Sequence, residues 1–173
     1  LHSDSVIVVN SFSKYFCMTG WRLGWVILPD DLLEITERLA QNLYISPSRP
    51  MQEGAMAAFD NYDVLDQNVR RYQENRDVLL GDLPPEFFGD MAPANGAFYI
   101  YADLTQLSKS TLNSTDFANR LLHEANVACT PGVDFDQELG CHYLRLSYAG
   151  STEDMKKASR RINSWLPSYL KRL

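Results

Sequence analysis

The chain contains little cysteine and no paired cysteine motif. Its three cysteines, Cys17, Cys129 and Cys141, are odd in number and widely spaced, so the sequence predicts neither a disulfide framework nor a zinc site. The three histidines are also scattered and lack the spacing of metal ligands, so we expect no bound metal. Free thiols are usual in a reducing compartment, and we therefore expect a cytoplasmic protein.

Long apolar runs and an excess of positive charge are also missing. No window of the sequence approaches the roughly 18 apolar residues that a membrane-spanning helix needs, so we expect no membrane partner. The chain has 16 Lys and Arg against 22 Asp and Glu, a net charge of -6. Since nucleic-acid backbones attract basic surfaces, this charge argues against a nucleic-acid partner.

The most informative segment surrounds Lys14. Four β-prone apolar residues at 6–9 precede it and predict a strand that is buried on both faces. Lys14 would then lie just beyond the C-terminal end of a strand, where open α/β sheets bind their ligands. Because Arg22 follows shortly after, the segment suggests a reactive amine beside an anion site.

These side chains suit a phosphorylated aldehyde. A lysine amine can form a Schiff base with an aldehyde cofactor, and pyridoxal 5'-phosphate is the common case. The guanidinium of Arg22 offers the fixed charge and forked geometry that a phosphate needs, and Ser11 can add a neutral donor. The residue types alone leave open that Lys14 and Arg22 are solvated surface charges.

The longer motif resembles that of a known family. The runs SFSK at 11–14 and MTGWRLGW at 18–25 closely resemble the cofactor-lysine segment of class I and II aminotransferases, the fold-type I pyridoxal-phosphate enzymes, in particular aspartate aminotransferase-like members. Three further runs resemble other segments of that family in the same order: GAFY at 96–99, TPG at 130–132 and LRLS at 144–147.

The resemblance implies roles for five residues. Lys14 resembles the catalytic lysine that holds the cofactor as a Schiff base, and Arg22 resembles a ligand of its phosphate, with Ser11 as a second phosphate contact. Arg145 resembles the arginine that binds the α-carboxylate of the substrate. Phe98 is expected near that substrate.

The resemblance also implies a fold and a reaction. The fold class is α/β, the C-terminal part of the fold-type I architecture of PLP-dependent transferases: a remnant of the large domain plus the small α/β domain. The implied function is an aminotransferase, a transferase that moves an amino group between an amino acid and a 2-oxo acid in amino acid metabolism. A homodimer is expected at full length, in which the loop 44–51 resembles one that approaches the partner subunit.

Several groups of the family lie upstream of the lysine, including the aspartate that pairs with the pyridine nitrogen. This chain begins only thirteen residues before Lys14, so we expect a C-terminal fragment that lacks those groups. Because a carboxylate beside the ring nitrogen stabilises its proton, we expect the fragment alone to have little or no transaminase activity.

The order of elements predicts two domains. Gly81 and the prolines at 84–85 mark the predicted boundary, with the large-domain remnant and interdomain helices at 1–82 and the small domain at 83–173. In the first we predict strands at 6–9 and 24–28 and a helix opened by an Asp31/Glu34 capping box. Further predicted elements are helices at 51–59 and 63–81, a strand at 97–102, a helix capped by Ser114 or Thr115, strands at 127–129 and 142–147, and a final helix capped by the 151–154 segment.

Two other functions remain open at this point. One is a non-catalytic fold-type I module, such as the effector domain of a transcription regulator. The other is a PLP lyase on the same fold. An arginine at position 145 favours transamination, because an enzyme that retains the α-carboxylate needs a group to bind it.

Overall fold

The computed structural model describes residues 5–107 and 112–173. The chain divides into two compact units, Leu1–Val69 and Arg70–Leu173. This division lies earlier in the chain than the domain boundary predicted after residue 82, and that boundary stays a prediction. The first four residues of the predicted 1–82 domain lie outside the described residues.

The first unit begins with a β-hairpin. Strand β1 (Val8–Ser11) pairs antiparallel with β2 (Gly24–Ile27), with Val8 opposite Ile27 and Ser11 opposite Gly24. Both strands overlap those predicted. The prediction that the first strand is buried on both faces is wrong for this chain, because β1 pairs only with β2 in the described residues and the side chain of Val9 is 77% exposed.

Three helices follow the hairpin: α1 (Asp30–Leu43), α2 (Arg49–Ala58) and α3 (Tyr62–Asp82). The predicted capping box is wrong. Pro29 occupies the N-cap position of α1, and no side chain hydrogen-bonds to the start of this helix. Asp31 lies in the first turn instead, where its negative charge interacts favourably with the helix dipole. Helix α2 carries Pro50 in its first turn, where proline costs no backbone hydrogen bond.

The core of the first unit is small and aromatic. Its buried apolar residues are Phe12, Met18 and Ala55. The ring of Phe12 lies 4.8 Å from that of Phe16 and 5.0 Å from that of Trp25, measured between centroids. Since Ala55 lies on α2, this cluster attaches the loop of the hairpin to α2. By contrast, the apolar side chains of Ile35, Leu39 and Leu43 on α1 are exposed, with Leu43 at 75%.

The second unit contains a three-stranded antiparallel sheet in the order β3-β5-β4. The strands are β3 (Tyr99–Asp103), β4 (Thr130–Pro131) and β5 (Tyr143–Ser147). Strand β4 comes directly after the segment 127–129 that was predicted to be a strand. In the central pair Tyr101 lies opposite Arg145.

Two helices of this unit, α4 (Ser114–Ala125) and α5 (Thr152–Leu170), pack together. Asn113, rather than Ser114 or Thr115, caps α4 through its side-chain oxygen. Ser151 caps α5 as predicted, accepting a bond from the Asp154 amide at 3.1 Å.

The sheet of the second unit has one apolar face and one polar face. Period-two alternation in β3 and β5 places Ile100, Ala102, Leu144 and Leu146 in the core and Arg145 on the other face. The core is completed by apolar residues of both helices: Phe117, Leu121, Ile162, Trp165, Leu166 and Tyr169.

Candidate active site

The segment around Lys14 forms the loop of the β1-β2 hairpin. The amide of Phe12 donates to the carbonyl of Leu23 at 3.0 Å and continues the pairing of the two strands. The amide of Met18 donates to the carbonyl of Phe12 at 3.1 Å. Since Phe12 and Met18 are both buried, they anchor the two sides of the turn that carries Lys14.

Lys14 lies on the exposed side of this turn. Its carbonyl accepts a 3.0 Å bond from the amide of Cys17, whose φ of 56° is in the left-handed region. Such a conformation is uncommon outside glycine, and here it closes the turn immediately after the lysine. The lysine is therefore presented by a tightly hydrogen-bonded segment.

Arg22 lies on the return side of the same loop. It also adopts a left-handed conformation, with a φ of 50°. Its Nη1 donates to the carbonyl of Thr19 at 2.9 Å, which uses one of the five N–H groups of a guanidinium. The side chain is exposed, so donors remain for an anion.

The hairpin brings Ser11 to the same end as Arg22. Ser11 is opposite Gly24 in the strand register, and a Cβ on Gly24 would lie 2.5 Å from the carbonyl oxygen of Asn10, so this close pairing requires glycine. The Oγ of Ser11 accepts a bond from the amide of Ser13 at 3.0 Å. The hydroxyl proton of Ser11 is then directed elsewhere and can be donated.

These donors fit a phosphorylated aldehyde. The loop 12–23 and its flanking strand ends provide an amine, a guanidinium and a hydroxyl on one short hairpin. An amine can react with an aldehyde, and a guanidinium and a hydroxyl can donate hydrogen bonds to phosphate oxygens. A cavity of about 500 Å³ adjoins this loop and is lined by Cys17, Gly20, Trp21, Pro50 and Met51.

Trp21 holds the loop against α2. A Cβ on Gly54 would lie 2.3 Å from the indole of Trp21. The indole therefore occupies the space that any side chain at position 54 would need, and this contact requires glycine. The earlier part of the loop is bonded to α3 by Tyr15, whose hydroxyl donates to Asp66 at 2.7 Å. This bond to a carboxylate raises the pKa of Tyr15 to about 12.

Arg145 lies in the second unit, on the polar face of the sheet. Its Cζ is 4.4 Å from the ring centroid of Tyr99 and 4.2 Å from that of Phe135. Its Nη2 is 3.4 Å from Oγ1 of Thr130. The guanidinium is thus half-buried among two aromatic rings and a hydroxyl, and it can bind a carboxylate through its remaining N–H groups.

Phe98 packs differently from its neighbour Tyr99. Its ring contacts the core of the second unit and lies 6.0 Å from the ring of Tyr72 on α3. Its predicted place near a substrate stays a prediction. Tyr99 and Phe135 contact Arg145, but the sequence analysis did not identify either of them. Tyr99 could have been identified, because it lies two residues before Tyr101 on the same strand and so shares the face of the sheet on which Arg145 lies.

A larger cavity, of about 590 Å³, lies on the outer side of α4 and α5. Two of its cations already have partners: Arg161 donates to the carbonyl of Asn126 at 2.9 Å, and Arg160 pairs with Glu153 at 3.1 Å. Across residues 5–107 and 112–173 the structure has no cluster of His, Cys, Asp and Glu that could hold a metal ion. In the same residues no helix is both long and apolar enough to cross a bilayer.

Comparison with known proteins supports a single family. Residues 2–162 match the family described as aminotransferase class I and II. The chain is 42% identical to the valine–pyruvate aminotransferase of Mycobacterium tuberculosis over 168 residues, which are 96% of this chain and 42% of that protein. It is 33% identical to an aspartate aminotransferase of Sulfurisphaera tokodaii, covering 94% of this chain and 41% of that protein.

Solved structures agree with this assignment. The crystal structure of an aminotransferase from Mycobacterium tuberculosis matches with a TM-score of 0.89 and 42% identity, over 96% of this chain and 43% of that one. An aromatic aminotransferase from Pyrococcus horikoshii matches with a TM-score of 0.82 and 31% identity, over 94% and 43%. The chain spans about two fifths of the length of these relatives, and the predicted fold-type I α/β fold is confirmed. The chain belongs to the class I and II aminotransferases.

Proposed function

We propose that this chain is the part of a PLP-dependent aminotransferase that carries the cofactor lysine and the substrate arginine. The parent enzyme moves an amino group between an amino acid and a 2-oxo acid. The observation that carries the proposal is the hairpin loop, which presents Lys14, Ser11 and Arg22 together in a chain of this family. The transaminase names of the relatives favour this reaction over a lyase or a regulatory module.

The residues of the loop have separate tasks. Lys14 Nζ would hold pyridoxal phosphate through its aldehyde, and Arg22 and Ser11 would donate hydrogen bonds to its phosphate. The cofactor, when bound, supplies the electron sink that stabilises negative charge at the substrate α-carbon. Once the amino group of the substrate has replaced it at the aldehyde carbon, Nζ of Lys14 would be free to act as the general base that accepts the α-proton and then donates it to that former aldehyde carbon.

Arg145 binds the α-carboxylate of the amino acid. A guanidinium can donate two parallel N–H bonds to a carboxylate, which fixes its orientation as well as its position. Phe98 stays a candidate for substrate contact. The substrate class is an amino acid with its 2-oxo acid partner, and the identity of the side chain is not part of the proposal.

The parent enzyme is proposed to be a cytoplasmic homodimer. The loop 44–51 supports the dimer, because it carries a large apolar side chain in an unusual conformation: Ile45 is 81% exposed and has a φ of 68°. A β-branched residue is strained in this region. Contact with a second subunit would bury this side chain.

Chemical trapping tests the role of Lys14. Pyridoxal phosphate is added to the 173-residue chain, the adduct is reduced with borohydride, and the modified lysine is located by peptide mapping. We expect modification at Lys14 that inorganic phosphate suppresses. Lys14→Ala should abolish it and Lys171→Ala, at the other end of the chain, should not. Equal labelling of the Lys14→Ala variant would reject the assignment.

The phosphate contact is tested by affinity. Arg22→Ala should weaken retention of the cofactor by about 1.5–3 kcal/mol, the usual worth of a hydrogen bond to a charged group. Arg70→Ala removes an exposed arginine elsewhere and is the control. An Arg22→Ala variant that retains the cofactor like the control would remove Arg22 from the site.

We also propose that the 173 residues alone turn over little substrate. The chain covers about two fifths of its relatives, and the groups that the family places upstream of the lysine are not in it. Transamination by the purified chain is the measurement, and robust turnover would contradict this part of the proposal.

A further inference from the structure

The contacts of Arg145 suggest a second set of residues for the carboxylate site. The two rings that touch its guanidinium, those of Tyr99 and Phe135, lie well within the roughly 6 Å at which a cation and an aromatic face attract each other. The rings come from different parts of the chain, Tyr99 from β3 and Phe135 from the loop that follows β4.

The rings belong to a larger aromatic cluster on the polar face of the sheet. We define it as Tyr99, Tyr101, Phe135 and Tyr143. Tyr101 and Tyr143 are stacked, with centroids 4.9 Å apart and planes 4° from parallel. Phe135 meets Tyr101 edge-on at 6.4 Å. The ring of Phe135, which touches Arg145, is therefore itself in contact with the stacked pair through Tyr101.

Gly132 explains how Phe135 reaches the sheet. A Cβ on Gly132 would lie 2.5 Å from the carbonyl oxygen of Gly140 and 2.7 Å from the hydroxyl of Tyr101. The loop after β4 can approach so closely only without a side chain at this position. The carbonyl of Gly132 then accepts a 2.9 Å bond from the amide of Phe135, which fixes the turn that carries the ring.

Phe135 is not part of the buried core of this unit. It is 52% exposed, whereas core aromatic residues of the same unit, such as Phe117, are fully buried. A large apolar side chain that remains half in water but lies 4.2 Å from a guanidinium carbon is placed to act on that guanidinium.

We infer that Tyr99 and Phe135 are positioning residues that hold the Arg145 guanidinium ready for a carboxylate. This inference rests on the proposed function of Arg145. The rings restrict rotation of the guanidinium, and the contact to Thr130 restrains one of its N–H groups. Binding then costs less conformational entropy, because the donors are already ordered.

Two measurements on the 173-residue chain test this inference. The first is the NMR resonance of the Arg145 Nε–H group, assigned by its loss in Arg145→Leu. Nearby rings should shift it, and restricted rotation should separate the terminal N–H signals. The second is the affinity for propanoate, with propanamide as the uncharged control.

Variants of the two rings are expected to change both the Nε–H resonance and the affinity for propanoate. Phe135→Leu should move the Nε–H resonance toward that of a solvated arginine and weaken propanoate binding about threefold to tenfold, in keeping with the loss of one cation–aromatic contact. Tyr99→Leu should act in the same direction. Phe135→Tyr and Tyr99→Phe keep the rings and should restore both readings.

Each failure has a distinct meaning. If Arg145→Leu abolishes propanoate binding but the leucine variants at the two ring positions do not weaken it, the positioning role is overturned while the proposed function stands. If the ring variants alter the resonance but not the affinity, the positioning role is likewise overturned. If propanoate binds equally well to Arg145→Leu, or does not bind the unsubstituted chain, the carboxylate role of Arg145 fails and the inference fails with it.

Discussion

Replacement of Asn75 by alanine tests how the segment after β5 is held. Asn75 lies on α3 and is fully buried. Its Nδ2 donates to the carbonyl of Tyr148 at 2.9 Å and to that of Gly150 at 3.0 Å. These two carbonyls follow directly on the strand that carries Arg145, so the amide of one side chain fixes the exit of that strand.

The expected loss can be estimated from these contacts. Each hydrogen bond contributes about 0.5–1.5 kcal/mol net, so losing both costs about 1–3 kcal/mol. Truncation also leaves a small void, which adds to the cost. One term acts in the opposite direction: the Oδ1 of Asn75 is buried without a hydrogen-bond partner among the described residues, and the alanine removes that unfavourable group. We expect Asn75→Ala to lower the free energy of unfolding by about 2 kcal/mol.

Urea denaturation of the 173-residue chain is the assay. Gln73→Ala, on the exposed side of the same helix, is the matched control and should change stability by less than about 0.5 kcal/mol. If the two variants were equally stable, the two carbonyl contacts would contribute nothing and the reasoning would be refuted.

An aspartate at the same position sharpens the test. Asn75→Asp keeps the size of the side chain but turns an oxygen toward two carbonyl oxygens. The buried carboxyl is expected to have a raised pKa in the folded state, because burial disfavours its charged form. Stability should therefore be lost as the pH rises through that pKa and partly regained in acid, where the protonated carboxyl can donate one bond.

Three further predictions concern other contacts. Gly132→Ala should weaken propanoate binding, because the new Cβ would collide with the carbonyl oxygen of Gly140. Gly96→Ala is the control, since a Cβ there would have nothing within 4 Å, and it should leave the affinity unchanged when both variants are titrated with propanoate. Tyr15 should ionise near pH 12 in an ultraviolet titration. The stability that its hydrogen bond to Asp66 contributes is therefore present below the ordinary tyrosine pKa of 10 and is lost as the pH rises toward 12. Asp66→Asn should bring the midpoint of the titration back toward 10. Burial raises the pKa of the Cys129 thiol to about 12, so alkylation of the folded chain at neutral pH should spare it, and rapid modification would contradict this.

The hairpin shows what sequence patterns predict well and what they do not. An unbroken apolar run predicted the first strand, and it placed Lys14 just beyond the end of that strand, as the structure has it. Burial was predicted wrongly, because it depends on what packs against a strand and not on the strand itself. Val9 has the apolar character of a buried residue, yet in this chain it is 77% exposed.

Helix caps illustrate a second limit. Asn113, Ser114 and Thr115 are all good cap residues, so local sequence could not choose among them. The tertiary structure decides: the hydroxyl of Ser114 donates to the buried carbonyl of Gly140 at 2.8 Å, and Asn113 is left to accept the amides at the start of the helix. The position of α4 thus depends on a contact distant in sequence.

The surroundings of Arg145 combine both cases. The face of the sheet on which Arg145 lies follows from the period-two alternation of the predicted strand 142–147, because alternation is local. The contact with Phe135 could not be predicted, since it requires the loop at Gly132 to fold back onto the sheet. The run TPG at 130–132 contains a Pro-Gly pair, which is typical of a turn, but it gives no indication of which side chain the turn brings to the arginine.

The indole that rests against Gly54 gives the hairpin loop an optical signal of its own. Trp21 immediately precedes Arg22 and is 41% exposed, so its fluorescence emission maximum should shift when an anion displaces water from that arginine. With Trp25 and Trp165 changed to phenylalanine, the remaining fluorophore would report anion capture in real time, and no dye would have to be attached.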